Sequence, residues 1–531
     1  MRSGVAIVVA AFVVAGGISS ADAKNLTFCA AAGPEGFDPA RYVTPATFDA
    51  SAETLYNRLV EFRPGTAELV PGLAETWQVS EDGLTWTFFL REGVKFHTRP
   101  YFTPSRDLDA DDVVFSLARQ FDPKNAYYNY GGGQWPFYAG MALDRLIKSV
   151  RKIDSGTVAI VLVEPNAALP AMLAMPFASI LSKEYADGLA DAGMRELIDT
   201  QPIGTGPFRF VAYDADVSVG YERNPDYWRS PPSVDQLNFA ITPDPGARVA
   251  ALKAGDCAVI AEVDPATLRS VAADDGLEIA EADRLDVAFL AFNTTQPPFD
   301  DPRVRRALSL AIDKQAIVNT VYGGAATVAG SLVPPTMWGY VAPAAAAGAN
   351  IAEAERLLAE AGVTGLQFPL LTARIARPYN PDPLAVANMI AADFAKIGVN
   401  ADVVAPELLG DFLRQSTDPE RDGAVLIGWT SDNGDPDNFL GLLLSCHAVG
   451  SANRAQWCDE AYTDLVDAAR TATDPAARAA LYADAQRMAA DLAPVTPIAH
   501  TVVSVPLSRG VTGFVASPFG QFNFEAVDIA E

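Results

Sequence analysis

LDVAFLAF, Leu285–Phe292, is a nearly unbroken apolar run with charge before it and Asn293-Thr294 after it. A short run of this kind reads as a strand buried on both faces. A second one, Pro497–Val505, lies near the C-terminus. Two such strands, far apart in sequence, predict two lobes joined by a double crossing. The chain then divides into a discontinuous lobe I, residues 24–285 plus 500–531, and a continuous lobe II, residues 286–499. Two crossing strands suit a hinge, because closure then changes few backbone angles.

Around these runs, strand-like and helix-like segments alternate without a short repeat, which predicts mixed α/β lobes. Trp86, Phe88 and Leu90 share one face of a strand that ends in the turn Arg91-Glu92-Gly93. Asp109 is expected to cap a helix with Val114, Leu117 and Ala118 on its buried side. Asp301-Pro302 and Asp474-Pro475 each set an N-cap before a proline at the first helical position. The helices behind them carry Leu308, Ala311 and Ile312, and Leu481, Ala485, Met488 and Leu492, as core stripes.

Composition excludes whole classes of function. With 531 residues, 50% hydrophobic and 20% charged, the chain is neither disordered nor a coiled coil. A formal charge of −27 would repel a phosphate backbone, so no nucleic-acid partner is expected. Three histidines, His97, His447 and His500, leave little for a metal site or a hydrolase base, and neither metal nor cofactor is expected. Residues 1–23 read as a secretory signal: Arg2, an apolar core from Val5 to Ala15, and Ala21-Asp22-Ala23 as the cleavage site. Cleavage after Ala23 leaves an exported chain, and no cysteine sits there to carry a lipid.

Four cysteines in an exported chain allow three pairings. Cys446 and Cys458, 12 residues apart, are the obvious local pair, which leaves Cys29 and Cys257 for a long-range bridge. No C-x-x-C is present, so all four read as structural rather than redox or metal-binding. Gly204-Thr205-Gly206 is followed by Pro207 and lacks the lysine of a phosphate loop, so it reads as a turn. The acidic pairs Asp111-Asp112 and Asp300-Asp301 sit at helix starts, where carboxylates favour the macrodipole.

Two segments resist such readings. Ala376-Arg377-Pro378-Tyr379-Asn380-Pro381 puts an arginine at the start of a stiff loop. Gly428-Trp429-Thr430-Ser431-Asp432-Asn433-Gly434-Asp435-Pro436-Asp437 follows the apolar strand Val425-Leu426-Ile427. Polar loops at strand ends are where α/β proteins bind ligands, although turn chemistry alone accounts equally well for the Asp/Asn/Gly/Pro cluster.

PIGTGPF (202–208), PGLAETW (71–77), ADDVVFS (110–116) and PPTMWGY (334–340), with RPYNP (377–381) and GDPDNF (434–439), decide between them. The chain resembles the periplasmic solute-binding receptors of ABC importers, peptide/nickel group (family 5), along nearly its whole mature length. RPYNP together with GWTSDNGDPDNF resembles the dipeptide-binding type. The resemblance implies an α/β bilobal periplasmic-binding-protein fold with an extra subdomain, inserted in lobe I at about 57–205, and a two-strand hinge. It implies the disulfides Cys29–Cys257 and Cys446–Cys458, in agreement with the spacing. It also implies that Arg377 binds a peptide carboxylate and Asp432 a peptide ammonium, with Pro378, Tyr379, Trp429, Thr430 and Ser431 lining the site. Ser431 stands where the dipeptide type carries glycine. The family's contacting threonine falls at Val43, which has no hydroxyl; a backbone contact there, or the Thr44 hydroxyl, is the expected substitute.

A zwitterion of fixed length suits such a pair of opposite charges, since a guanidinium offers a carboxylate two parallel hydrogen bonds and a carboxylate accepts from an ammonium. The expected function is a monomeric periplasmic receptor, not an enzyme, that captures dipeptides and hands them to a membrane-embedded ABC permease. The alternatives are the same receptor class with another solute, such as haem, δ-aminolevulinate, glutathione or another peptide, and an exported hydrolase, for which no nucleophile beside a base is visible.

Overall fold

The computed structural model describes residues 23–342 and 348–530. Apart from Ala23, the predicted signal segment lies outside them. A twelve-stranded sheet runs through both lobes, and the 14-residue strand Val495–Ser508 is what makes it continuous. Its first half pairs antiparallel with Asp286–Phe292, and its second half pairs antiparallel with Leu277–Asp283. All seven residues of Asp286–Phe292 are buried, as the apolar run requires.

On the lobe I side the sheet continues through Val259–Ile260, Asn25–Ala30, Gln236–Ile241, Ser218–Arg223 and Phe208–Asp214. On the lobe II side Asp286–Phe292 pairs antiparallel with Ala424–Thr430, which lies parallel to Gln367–Thr372 and, beyond it, Asn400–Val404. A separate four-stranded sheet of Ala74–Val79, Thr85–Leu90, Thr157–Leu162 and Ile147–Asp154 forms the extra subdomain. Trp86, Phe88 and Leu90 are buried there in strict alternation. The fold is therefore the bilobal α/β arrangement that the sequence predicts.

Local signals hold at the helix starts. The Asp301 and Asp474 side chains accept from Arg303 N and Ala477 N, each one residue before a proline. The helix Ala110–Ala118 starts on a reciprocal cap between Asp109 and Asp112. Its buried face differs from expectation: Val113 and Leu117 are buried, whereas Val114 and Ala118 are only partly so. Asp112 turns inward to accept from Arg106 and from Lys183 N, and that rotates the helix by one position. In Pro475–Leu492 the predicted stripe is likewise displaced: Ala485 is buried with Tyr482 and Gln486, and Leu481, Met488 and Leu492 form its partly buried flank.

Gly204 and Gly206 make a close backbone approach rather than an anion cradle. A Cβ at Gly204 would meet Leu55 O at 1.9 Å, and Gly206 N donates to that same carbonyl at 2.9 Å. His97 Nε2 lies 3.0 Å from Gly206 O, and burial pushes its pKa down to about 4, so it is a packed neutral histidine. Among the described residues no cluster of His, Cys, Asp or Glu could hold a metal ion, and no helix is long and apolar enough to cross a membrane.

Both disulfides are formed, Cys29–Cys257 and Cys446–Cys458. Titration of unreduced, denatured protein should therefore find no free thiol; four would refute the pairing. Replacing Cys446 and Cys458 together by serine should cost up to about 3 kcal/mol, the loop-closure contribution at this spacing, read as a lowered melting temperature.

Candidate functional site

A cleft of about 840 Å³ opens between the lobes. The topology of lobe II brings two loops to its rim. Gln367–Thr372 and Ala424–Thr430 are parallel neighbours, so their carboxyl ends leave the sheet on the same edge. The first leads into the Arg377 loop and the second into the Asp432 loop. Thr430 is also paired with Asp286, so that edge coincides with the crossing between lobes.

The Asp432 loop is built around Asn438, in the first turn of the helix Asp437–Leu444. The Asn438 side-chain oxygen accepts from Trp429 Nε1 at 3.0 Å and from Asp432 N at 2.9 Å, and its amide donates to Asp432 Oδ2 at 3.2 Å. One amide thus orients both the aromatic ring and the carboxylate. Burial pushes the Asp432 carboxyl up to about 6, against the opposing pull of the Asn438 bond. No cation pairs with Asp432 among the described residues, so a cationic group is what it lacks.

Ser431 does not line the cleft: its hydroxyl accepts from Gly434 N at 2.9 Å, and its own N–H donates to Leu285 O at 2.7 Å. It shapes the loop and ties it to the crossing strand. Asn433, Gly434 and Asp435 face the other way, into a second cavity of about 670 Å³. Arg478 anchors that side through two bonds of 3.1 Å to Asp435.

The Arg377 loop is a tight turn closed by Arg377 N to Asn380 O and Asn380 N to Arg377 O, both 2.9 Å. Tyr322 donates to Tyr379 O at 3.1 Å. The Tyr379 ring lies against Gly428, where a Cβ would meet the ring at 2.3 Å and Val287 O at 2.4 Å. Glycine at 428 is therefore what lets the two loops pack together. Arg377 and Pro378 are exposed and line the cleft with Tyr379, Trp429, Thr430 and Asp432.

Lobe I faces them with Val43 and Thr44. Val43 is 54% exposed and stands at the cleft surface. The Thr44 hydroxyl bonds Glu35 at 2.9 Å and Thr47 Oγ1 at 3.1 Å, so its polar capacity is largely engaged within lobe I.

Two residues escape the sequence reading. Asn438 lies within GDPDNF, and only its contacts reveal that it orients Asp432. Arg454 lines the cleft from the loop bounded by Cys446 and Cys458, and nothing in its local sequence marks it.

Comparison with known proteins gives one answer. Residues 68–451 match the family described as bacterial extracellular solute-binding proteins, family 5. The dipeptide-binding protein of Escherichia coli (strain K12) is 44% identical over 513 residues, covering 96% of each chain. The structure of HbpA2 from Haemophilus parasuis superimposes with a TM-score of 0.92 at 42% identity, covering 96% of this chain and 100% of that one. The dipeptide-binding protein from Pseudoalteromonas sp. SM9913, solved in complex with Met-Leu, gives a TM-score of 0.76 at 36% identity, with 96% and 100% covered. With that extent of match, and a bilobal fold whose two polar loops meet at one cleft, the chain belongs to the family 5 bacterial extracellular solute-binding proteins.

Proposed function

We propose that the protein is a periplasmic receptor that captures dipeptides between its lobes, without chemistry, and delivers them to a membrane-embedded ABC permease. The single observation that carries this reading is the presence of two opposite charges, Arg377 and Asp432, neither of them ion-paired among the described residues, on neighbouring loops of one lobe at one cleft. Arg377 takes the peptide carboxylate and Asp432 the ammonium. Tyr379, Trp429 and Thr430 enclose the backbone, Pro378 and Ser431 hold the loops, and Val43 with Thr44 closes from lobe I. The names of the E. coli and Pseudoalteromonas relatives support the choice of ligand. Residues 1–23 serve as the export signal, cleaved after Ala23, and the mature chain works as a monomer. Residues 24–285 plus 500–531, carrying the insertion at about 57–205, move against 286–499.

Length selection tests the reading. Each added residue separates the chain ends by at most ~3.3–3.6 Å, far more than a hydrogen bond tolerates. Calorimetry with Ala, Ala-Ala, Ala-Ala-Ala and acetyl-Ala-Ala should rank Ala-Ala first. Acetylation should be damaging because it removes the ammonium; equal affinity for all four would refute the charge pair.

Arg377→Ala should weaken Ala-Ala binding by about 3 kcal/mol, on the order of a hundredfold, since the ligand carboxylate is then left unpaired on closure. Arg377→Lys should also bind more weakly, because an ammonium lacks the planar fork. Affinity near that of the wild type in Arg377→Ala would remove this residue from the site.

Affinity should also fall as pH drops through about 6. Asp432 titrates there, whereas the peptide carboxylate and ammonium keep their charges between pH 5 and 7. Below its pKa the carboxyl must lose a proton before it can hold an ammonium. The hinge carboxyl Asp286 is likewise pushed up to about 6. The same series on Asp286→Asn separates the two groups, and a flat profile in that variant would refute the role of Asp432.

A further inference from the structure

Arg454 is the charged group in the cleft that the dipeptide reading leaves unused. Among the described residues six charged side chains line the cleft: Asp49, Glu262, Arg284, Arg377, Asp432 and Arg454. Arg284 is paired with Glu262 and lies 3.8 Å from Asp286. Asp49 accepts from Phe522 N, and burial holds its carboxyl well above the usual range, toward the neutral form. A zwitterionic dipeptide matches Arg377 and Asp432, one charge each. One positive charge remains.

Arg454 lacks the partners that a structural arginine has. Its Nε and Nη1 are buried without a hydrogen-bond partner, and no carboxylate ion-pairs with it among the described residues. Other withdrawn arginines of the same lobe behave differently. Arg305 donates to the carbonyls of Phe299, Leu492 and Ala493, and Arg478 grips Asp435 with two nitrogens while its Nε donates to Ala469 O. A buried guanidinium without acceptors is costly, which is why most are satisfied within the protein. Arg421 sharpens the imbalance: it donates to the Arg454 carbonyl at 2.7 Å, and the two cations repel.

The loop that carries Arg454 is cross-braced. The Cys446–Cys458 disulfide closes it, the Asn453 amide bonds Ser445 O and Trp457 O across it, and the Trp457 ring packs edge-on against Tyr462. A cation on such a support is pre-organised for a ligand. Arg377, Tyr379 and Arg454 line the same cleft, and both guanidinium charges bear on the Tyr379 side chain between them, which favours one end of the cleft for the free guanidinium and the proposed carboxylate site.

We propose that Arg454 forms an anionic subsite beside the carboxylate anchor, and that the receptor prefers dipeptides whose second residue carries a side-chain carboxylate. This rests on the dipeptide reading above. A carboxylate there would accept charge-assisted bonds from nitrogens that otherwise have no acceptor.

The test is calorimetry with Ala-Gln, Ala-Glu and Glu-Ala on the mature protein and on Arg454→Gln. Ala-Gln and Ala-Glu are nearly isosteric, so their ratio isolates the charge. The wild type should bind Ala-Glu at least about tenfold more tightly than Ala-Gln, the scale of one charge-assisted hydrogen bond. Glu-Ala should gain less, and Arg454→Gln should bring the Ala-Glu to Ala-Gln ratio toward one. Equal affinity of the wild type for Ala-Glu and Ala-Gln overturns the subsite, and needs no variant to fold. So does a preference for Glu-Ala over Ala-Glu, or a ratio that survives in Arg454→Gln. If Ala-Gln binds without any gain for Ala-Glu, only the subsite falls; if no dipeptide binds, the dipeptide reading falls and takes the subsite with it.

Discussion

Asp286 holds the point at which two strands pass between the lobes. Its carboxylate is fully buried and accepts from Thr501 N at 2.9 Å and Thr501 Oγ1 at 2.5 Å, across the crossing pair. His500 donates from Nδ1 to the Asp286 carbonyl at 2.6 Å, and Arg284 N donates to Thr501 O at 2.9 Å. Taking a carboxylate out of water costs several kcal/mol, and the Thr501 bonds with the nearby Arg284 guanidinium offset it only where the strands keep this register. The register at the crossing therefore has a polar lock, whereas the buried apolar residues on either side of it specify only which faces are inward.

The Arg377 and Asp432 loops both adjoin that lock. Ser431 N donates to Leu285 O, which bonds the Asp432 loop to the crossing, and Thr501 Oγ1 lies 3.4 Å from Pro378 O, which sets the Arg377 loop against it. Gly428 admits the Tyr379 ring, and Asn438 joins Trp429 to Asp432. The Arg377 and Asp432 loops thus leave one sheet that has a buried apolar core on each face. The charge of the whole chain has the opposite sign to Arg377 and Arg454, so the two are local cations on a strongly negative protein.

What depends on near neighbours was legible in the sequence. An apolar run bounded by charge is a buried strand wherever it lies, and Asp-Pro opens a helix because a carboxylate accepts from the first turn while proline needs no donor there. Alternation of Trp86, Phe88 and Leu90 fixes a strand face by period alone. The loops at 376–381 and 428–437 were visible as polar segments after strands, without any statement of whether they meet. What only the tertiary structure decided depends on residues distant in the chain. The inward turn of Asp112, which rotated its helix by one position, came from Lys183 N and from Arg106 held against it. Parallel pairing of 367–372 with 424–430 brought the two loops to one edge. Arg454, an arginine in an ordinary polar loop, became notable only because folding buried two of its nitrogens in a cleft and supplied no acceptor, a property that no local pattern encodes.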